Sequence, residues 1–212
     1  MEPREGRLAQ IEAWNRLYLS ESRQWRGVNR LDLDIVPKSR VLDVGCGNGK
    51  TVAALLQKEC VVTGIDVSAS AIEHCRDHFA DAGNFLEGDA TALPFPDSTF
   101  DLVLLIHLLE HLDGDARRRS VQEAIRVTAP GGLVFIRAFS RDDLRYGKGE
   151  RTGEHSFRRG NGISYHYFDR IELEGLFPLE SDLDIRVKRD EVKFGSDADF
   201  RSRFECLFYR PA

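Results

Sequence analysis

Three glycines at alternate positions, Gly45, Gly47 and Gly49, separate an apolar run, Arg40 to Val44, from a stretch of helical periodicity, Thr51 to Lys58. A chain turns that sharply from strand to helix only where positive φ is tolerated, and glycine tolerates it because it has no Cβ. The same loop lets a ligand approach main-chain atoms, and the N–H groups that open the next helix attract an anion. VLDVGCGNGKT (Val41 to Thr51) thus predicts a strand, a glycine turn and a packed helix. The turn either holds a nucleotide-like cofactor or serves close packing alone.

The unit repeats. Cys60 to Ile65, Asn84 to Glu87, Phe100 to Ile106 and Leu133 to Phe139 read as further strands, with helices at Ala69 to Phe79 and Asp115 to Val127 between them. This alternation marks an α/β fold on a parallel sheet. Phe100 to Ile106 is almost wholly apolar, as a central strand covered on both faces must be. Phe168 to Phe177 predicts a short helix, and the runs around Leu179 to Val187 and Phe200 to Tyr209 predict a closing antiparallel hairpin. Before the first strand, Ile11, Trp14, Leu17 and Tyr18 lie at helical spacing, which predicts a helix over the sheet with its aromatics packed inward. Trp25 and Arg26 are candidates for touching a ligand instead.

A length of 212 residues with 42% hydrophobic and 31% charged residues suits one globular domain. Its parts are a helical cap (1–30), a core (40–140), an excursion (141–168) and a terminal helix and hairpin (169–212). No apolar run approaches the ~20 residues that span a bilayer, and MEPREGRLAQ is charged where a secretory leader would be apolar, so a cytoplasmic protein without membrane contact is expected. Cys46, Cys60, Cys75 and Cys206 lack metal-ligand spacing, so reduced thiols and no metal site are expected. A net charge of −5 argues against broad binding to nucleic acid.

Two more acids follow the pattern of Asp43. Asp66, in GIDVS, lies seventeen residues beyond Gly49, near the distance at which a carboxylate reaches ribose hydroxyls. It could alternatively cap the next helix, although Ser68 is available for that. Asp89, in GDATALPFPDSTFDLV, ends the third strand at the same sheet edge. Three carboxylates there suit a cofactor with a cation, a ribose and a purine better than a pyrophosphate, whose charge they would repel.

VLDVGCGNG, the GIDVS acid, GDA, FDLVLLIHLLEHL and APGG stand in an order and spacing that resemble the class I S-adenosylmethionine-dependent methyltransferases, closely over about Arg40 to Ser140. The resemblance implies a Rossmann-like doubly wound sheet of seven strands, order 3-2-1-4-5-7-6, mostly parallel with an antiparallel last strand. It implies that S-adenosyl-L-methionine binds and leaves as S-adenosyl-L-homocysteine. Gly45, Cys46 and Gly47 would meet the methionine part, with Asp43 beneath. Asp66 and Val67 would hold the ribose, Asp89 and the Ala90 N–H the adenine, and His107 would stand beside the sulfur.

Methyl transfer from a sulfonium is an in-line displacement, to which placement alone can contribute roughly 7 to 11 kcal/mol. A hydroxyl or protonated amine acceptor would need a base, for which His107, His111, Tyr146 and His166 are the candidates; other acceptors need none. The histidines could equally be packing residues. Arg141 to Phe168 holds five glycines, Gly147, Gly149, Gly153, Gly160 and Gly162, and reads as an irregular excursion over the cofactor edge. Its segment Arg141 to Arg159 carries six basic and four acidic residues, a net of +2, against −7 for the remainder. Arg145, Tyr146, Arg158 and His166 are expected to line an acceptor site there, unless the charges merely keep a loop solvated.

GKG, TGEHSFRRGNG and HYF also resemble small methyltransferases akin to the tellurite-resistance group, which implies a small-molecule acceptor; a monomer or homodimer is expected. A competing resemblance is to the tRNA wobble-uridine methyltransferases, whose core also carries GCGNGK. The acidic balance and the lack of an aromatic-interleaved basic stripe set RNA, or protein, second as acceptor. A noncatalytic cofactor-binding module is the remaining alternative.

Overall fold

A computed structural model describes residues 3–20, 31–179, 182–194 and 197–212. Five strands alternate with helices as the sequence predicts: β1 (Arg40–Val44), α2 (Lys50–Leu56), β2 (Val61–Asp66), α3 (Ala69–Phe79), β3 (Gly83–Glu87), β4 (Phe100–Ile106), α4 (Gly114–Val127) and β5 (Thr128–Phe139), preceded by α1 (Pro3–Leu19). After the excursion come α5 (Arg170–Glu174), β9 (Leu183–Phe194) and β10 (Asp197–Tyr209). The seven-stranded sheet runs β3-β2-β1-β4-β5-β10-β9, parallel from β3 to β5, with β10 antiparallel to both β5 and β9. This is the order and the single reversed strand that the motif resemblance implied.

Alternation along β4 explains its apolar run. Leu102, Leu104 and Ile106 face the α2 and α3 side with Val41, Val52, Leu55 and Ile72. Val103 and Leu105 face the α4 side with Leu42, Val121, Ala124 and Ile136. Both faces of a central strand must be apolar when helices cover both, and each fully buried leucine contributes on the order of 2 kcal/mol. This packing fixes the carboxyl edge of β1, β2 and β4, from which the site residues project.

The excursion differs from its expected irregularity. It folds as a second, antiparallel sheet of β6 (Glu150–Gly153), β7 (Ser156–Arg158) and β8 (Ser164–His166), in that order. Phe157 and Tyr167 pack with Phe139 to anchor it on β5, and a bridge between Ser140 and Phe168 rejoins the main sheet. The closing hairpin begins at Leu183, later than expected, while Leu179 is exposed.

Candidate active site

The glycine turn is built as its letters demand. Gly45, Gly47 and Gly49 all have positive φ, at 75°, 52° and 82°. A Cβ on Gly45 would stand 3.0 Å from Leu108 Cδ1, and one on Gly47 would collide with the Tyr18 hydroxyl. The Gly45 and Cys46 N–H groups donate to the Ile65 carbonyl at 2.7 and 3.2 Å, which ties the turn to β2. Asp66 then accepts from the Gly47 N–H at 2.9 Å and from the Ser68 N–H at 2.9 Å. It does not cap α3; the Ser68 hydroxyl does, accepting from the Ala71 N–H. Burial pushes the Asp66 carboxyl upward, opposed by these N–H bonds.

A cavity of about 720 Å³ opens along the carboxyl edge of the sheet, and Gly45, Asp66, Val67, Asp89, Ala90, His107, His111 and His166 all line it. The sequence candidates thus converge in large part. Asp43 and Cys46 lie behind that wall, buried at 1% and 7% exposure. The Cys46 side chain joins the apolar cluster below α2 rather than facing the cavity. Gly47 is covered by Tyr18. Tyr146 is not among the lining residues; its hydroxyl is bonded to His155 Nδ1 at 2.7 Å and its ring packs against Phe157 and Tyr167. Of the acceptor candidates in the excursion, Arg158 and His166 line the cavity, whereas Arg145 is turned to Asp143 and lies over the Phe139 ring. Trp25 and Arg26 fall outside the described residues.

The histidines differ in what they have left to offer. His166 uses both ring nitrogens, Nδ1 with Ser156 Oγ at 2.8 Å and Nε2 with Glu172 Oε1 at 2.7 Å, and burial holds its pKa below the ordinary value despite Glu172. It braces β8 against α5. His111 Nδ1 faces the Ser164 carbonyl at 2.9 Å and must donate to it, so the neutral ring keeps Nε2 as an acceptor. Burial lowers its pKa and favours that neutral form. His107 stands in the left-handed region at φ 56°, its N–H held by the Arg137 carbonyl and its Nδ1 2.8 Å from Glu110 Oε1. Such a conformation costs of order 1–3 kcal/mol and clusters at functional sites.

Sequence reading left out much of the roof. Helix α1 crosses the cavity: Arg7 pairs with Asp89, Gln10 donates to the His111 carbonyl, and Asn15 Oδ1 accepts from Ser68 Oγ at 2.6 Å. Trp14 meets His111 edge-on at 4.9 Å and stacks on Tyr18 at 5.8 Å, while Tyr165 also meets His111 edge-on at 4.8 Å. The α1 aromatics expected to be core therefore line the site. Glu110 was also missed, although a carboxylate inside LLIHLLEHL was the visible signal.

The residues present fit a nucleoside-bearing sulfonium donor. Asp66 has lone pairs beyond its two N–H bonds for the ribose hydroxyls, the Gly45 cradle would be filled by a Cβ, and the buried Asp43 Oδ2 has no hydrogen-bond partner among the described residues. Asp89 adds a further carboxylate to the cavity wall.

Glycine turn, strand order and acids define a class of doubly wound proteins that place a nucleoside cofactor over the carboxyl ends of their strands. A protein-family model described as a methyltransferase domain matches residues 42–136. The tRNA N(3)-cytidine methyltransferase METTL2 of Gallus gallus is 27% identical over 191 residues, covering 82% of this chain and 52% of that relative. METTL2B of Homo sapiens is 28% identical over 191 residues, covering 81% and 50%. A solved S-adenosylmethionine-dependent methyltransferase from Methanosarcina mazei superposes with a TM-score of 0.70 at 26% identity, covering 86% of this chain and 100% of that one. A methyltransferase domain thus matches residues 42–136, in a chain with the fold of the S-adenosylmethionine-dependent methyltransferases, whose cofactor the residues of the site fit. The chain spans about half the length of the curated relatives it matches.

These relatives overturn the expected acceptor. A small molecule stood first and nucleic acid was argued against, yet the relatives named above are tRNA methyltransferases. The physical fault lies in using net charge: a sum of −5 over 212 residues says nothing of the local potential at one sheet edge. Among the described residues, no helix is long and apolar enough to cross a membrane.

Proposed function

We propose that this methyltransferase modifies RNA, with N3 of a cytosine base as the acceptor atom. The observation that carries the reading is the alignment of 82% of the chain with a tRNA N(3)-cytidine methyltransferase. When bound, S-adenosylmethionine supplies an electrophilic methyl group on a cationic sulfur. The chain's own residues hold the two partners. Gly45, Asp66 and Asp89 would fix the donor, with Asp43 beneath the turn. Trp14 and Tyr165 both line the cavity and each meets His111 in an edge contact, and on such aromatic rings a base can stack for roughly 1–3 kcal/mol. Neutral cytosine carries a lone pair on N3, so no side chain has to remove a proton before transfer. That requirement agrees with His166 being spent on Ser156 and Glu172. We place the reaction in the cytoplasm, a reading supported by four free, buried cysteines.

The test is incubation of the purified chain with methyl-labelled donor, total tRNA and a protein extract, followed by digestion to nucleosides and mass spectrometry. Label recovered as N3-methylcytidine is the expected result. Label confined to protein, or to another base, would overturn the assignment.

A further inference from the structure

His111 ends the 3-10 turn Leu109–His111 that follows β4, half-buried on the cavity wall. Its ring is held from two elements. Nδ1 lies 2.9 Å from the Ser164 carbonyl of β8, Trp14 of α1 and Tyr165 of β8 meet the ring edge-on, and Gln10 of α1 donates to the residue's own carbonyl. A carbonyl can only accept, so Nδ1 carries the proton and Nε2 of the neutral ring carries a lone pair. That lone pair is open. Nε2 has no partner among the described residues, and it is not sealed from solvent as Asp43 Oδ2 and Glu110 Oε2 are. An accessible acceptor on a residue of the cavity wall can meet a ligand held in the cavity. Its place is apart from the donor's: Gly45 and Asp66 lie beyond β1 and β2, whereas His111 lies beyond β4 and is tied to Ser164, the register partner of Arg158 in the small sheet.

We propose that His111 Nε2 accepts a hydrogen bond from the exocyclic 4-amino group of the acceptor base, so that His111 selects cytosine and aims its N3 at the methyl group. This rests on the cytidine reading above. Uracil presents a carbonyl oxygen at that position, and two acceptors facing each other form no bond. On transfer the N3 lone pair forms the N–C bond and the C–S bond breaks with its electron pair left on sulfur. The positive charge passes from sulfur to the ring, shared between N3 and the 4-amino nitrogen, and no proton moves in that step. A lone pair bonded to the amino group is held more strongly by that cation than by neutral cytosine, so the contact favours the transition state over the bound substrate.

The experiment uses the full chain, wild type and His111→Phe, on two RNAs: one with the target cytidine, one with a 2-pyrimidinone nucleotide there that keeps N3 but lacks the amino group. Phenylalanine keeps a ring beside Trp14 and Tyr165 and removes both nitrogens. Loss of the Ser164 bond lowers kcat/KM on both RNAs alike, whereas loss of the amino contact counts on cytidine alone. The fall on cytidine RNA is therefore expected to exceed the fall on pyrimidinone RNA by about 20-fold, as for a hydrogen bond to a group that gains charge. Equal falls on the two RNAs would leave His111 a brace for β8 and overturn the proposal, and so would wild-type turnover of cytidine RNA by the variant; in either case the cytidine reading stands. Wild-type protein that methylates no cytidine overturns both. Should His111→Phe not fold, nitrogen-15 NMR of wild type with S-adenosylhomocysteine bound decides. The His111 Nε2 resonance should move upfield on addition of cytidine RNA and stay in place with pyrimidinone RNA, and any other pattern overturns the contact.

Discussion

A carboxylate at the end of a buried strand escapes the cost of desolvation either by keeping a proton or by meeting a cation. Asp43 is pushed up to about 7, first by burial and then by the negative charge of Asp66. The sign of its effect on stability follows from linkage. Its folded pKa lies above the unfolded value of about 3.9, so between roughly pH 4 and 7 the folded chain binds more protons than the unfolded one, and stability falls as pH rises through that window. Asp89, Asp143 and Glu172 work the other way. Burial raises each, but Arg7 and the Thr91 N–H, Arg145, and His166 with Arg117 respectively hold them below their ordinary values, so their contribution is lost on acidification below the carboxylate range. Asp43→Asn removes only the first effect, and urea unfolding at pH 5 and pH 7 should show the variant gaining on wild type at the higher pH. Donor binding should ionise Asp43 as its positive charge arrives. Calorimetry near pH 7 should therefore register release of roughly half a proton in wild type, seen as heats that depend on the buffer, and none in Asp43→Asn. Equal buffer dependence in both proteins would remove Asp43 from the donor site.

Helix α1 has a different relation to the cofactor from the strands below it. Its Arg7 occupies Asp89, the acid expected to meet adenine, and both side chains are partly exposed, at 40% and 36%. An exposed pair of this kind contributes about 0–1 kcal/mol. Arg7→Ala should accordingly tighten donor binding by no more than about fivefold, the affinity equivalent of that range, with little change in melting temperature; a weaker Kd in titration calorimetry would mean that Arg7 helps to hold the donor. The contrast with β1 to β5 also explains what the sequence could disclose. Strands covered on both faces write their role as unbroken apolar runs, so Phe100–Ile106 was legible to the residue. The strands β6 to β8 carry no such mark: Glu150–Gly153 is exposed throughout, and its pairing depends on Phe157 and Tyr167 finding Phe139, a contact no local pattern encodes. Trp14 and Tyr18 repeat at helical spacing whether they face core or cavity, and the letters do not distinguish the two. Asp66 and Asp89 were readable as candidates because the fold places them at the ends of strands, on the cavity wall. Arg7 reaches the cavity only because a helix distant in sequence crosses it.

At the scale of the molecule, an acidic protein that works on a polyanion must concentrate its positive charge where the substrate enters. Arg141 to Arg159 carries a net of +2 while the rest of the chain carries −7, and this segment contains β6 and β7, with Arg158 on the cavity wall. Lys148 and Arg151 are exposed beside it. Arg159 is committed inward, bonded to the Tyr167 hydroxyl at 2.8 Å and lying over the Tyr165 ring at 4.2 Å. Within this segment few cations therefore remain for phosphates, and a small electrostatic footprint is expected of it. Each phosphate neutralised on single-stranded nucleic acid adds about −0.7 to the slope of log K against log salt. With two to three contacts from Lys148, Arg151 and Arg158, the slope for tRNA binding should be about −1.4 to −2.1, much shallower than for a basic RNA-binding protein. The double change Lys148→Ala with Arg151→Ala should bring it to about −0.7 and raise KM for tRNA, while donor Kd stays unchanged because neither residue lines the donor wall. Filter binding across a salt series decides the matter. A slope that the double change leaves untouched would move the RNA path off the small sheet, and a steep slope in wild type would mean that positive charge elsewhere on the surface carries the contact.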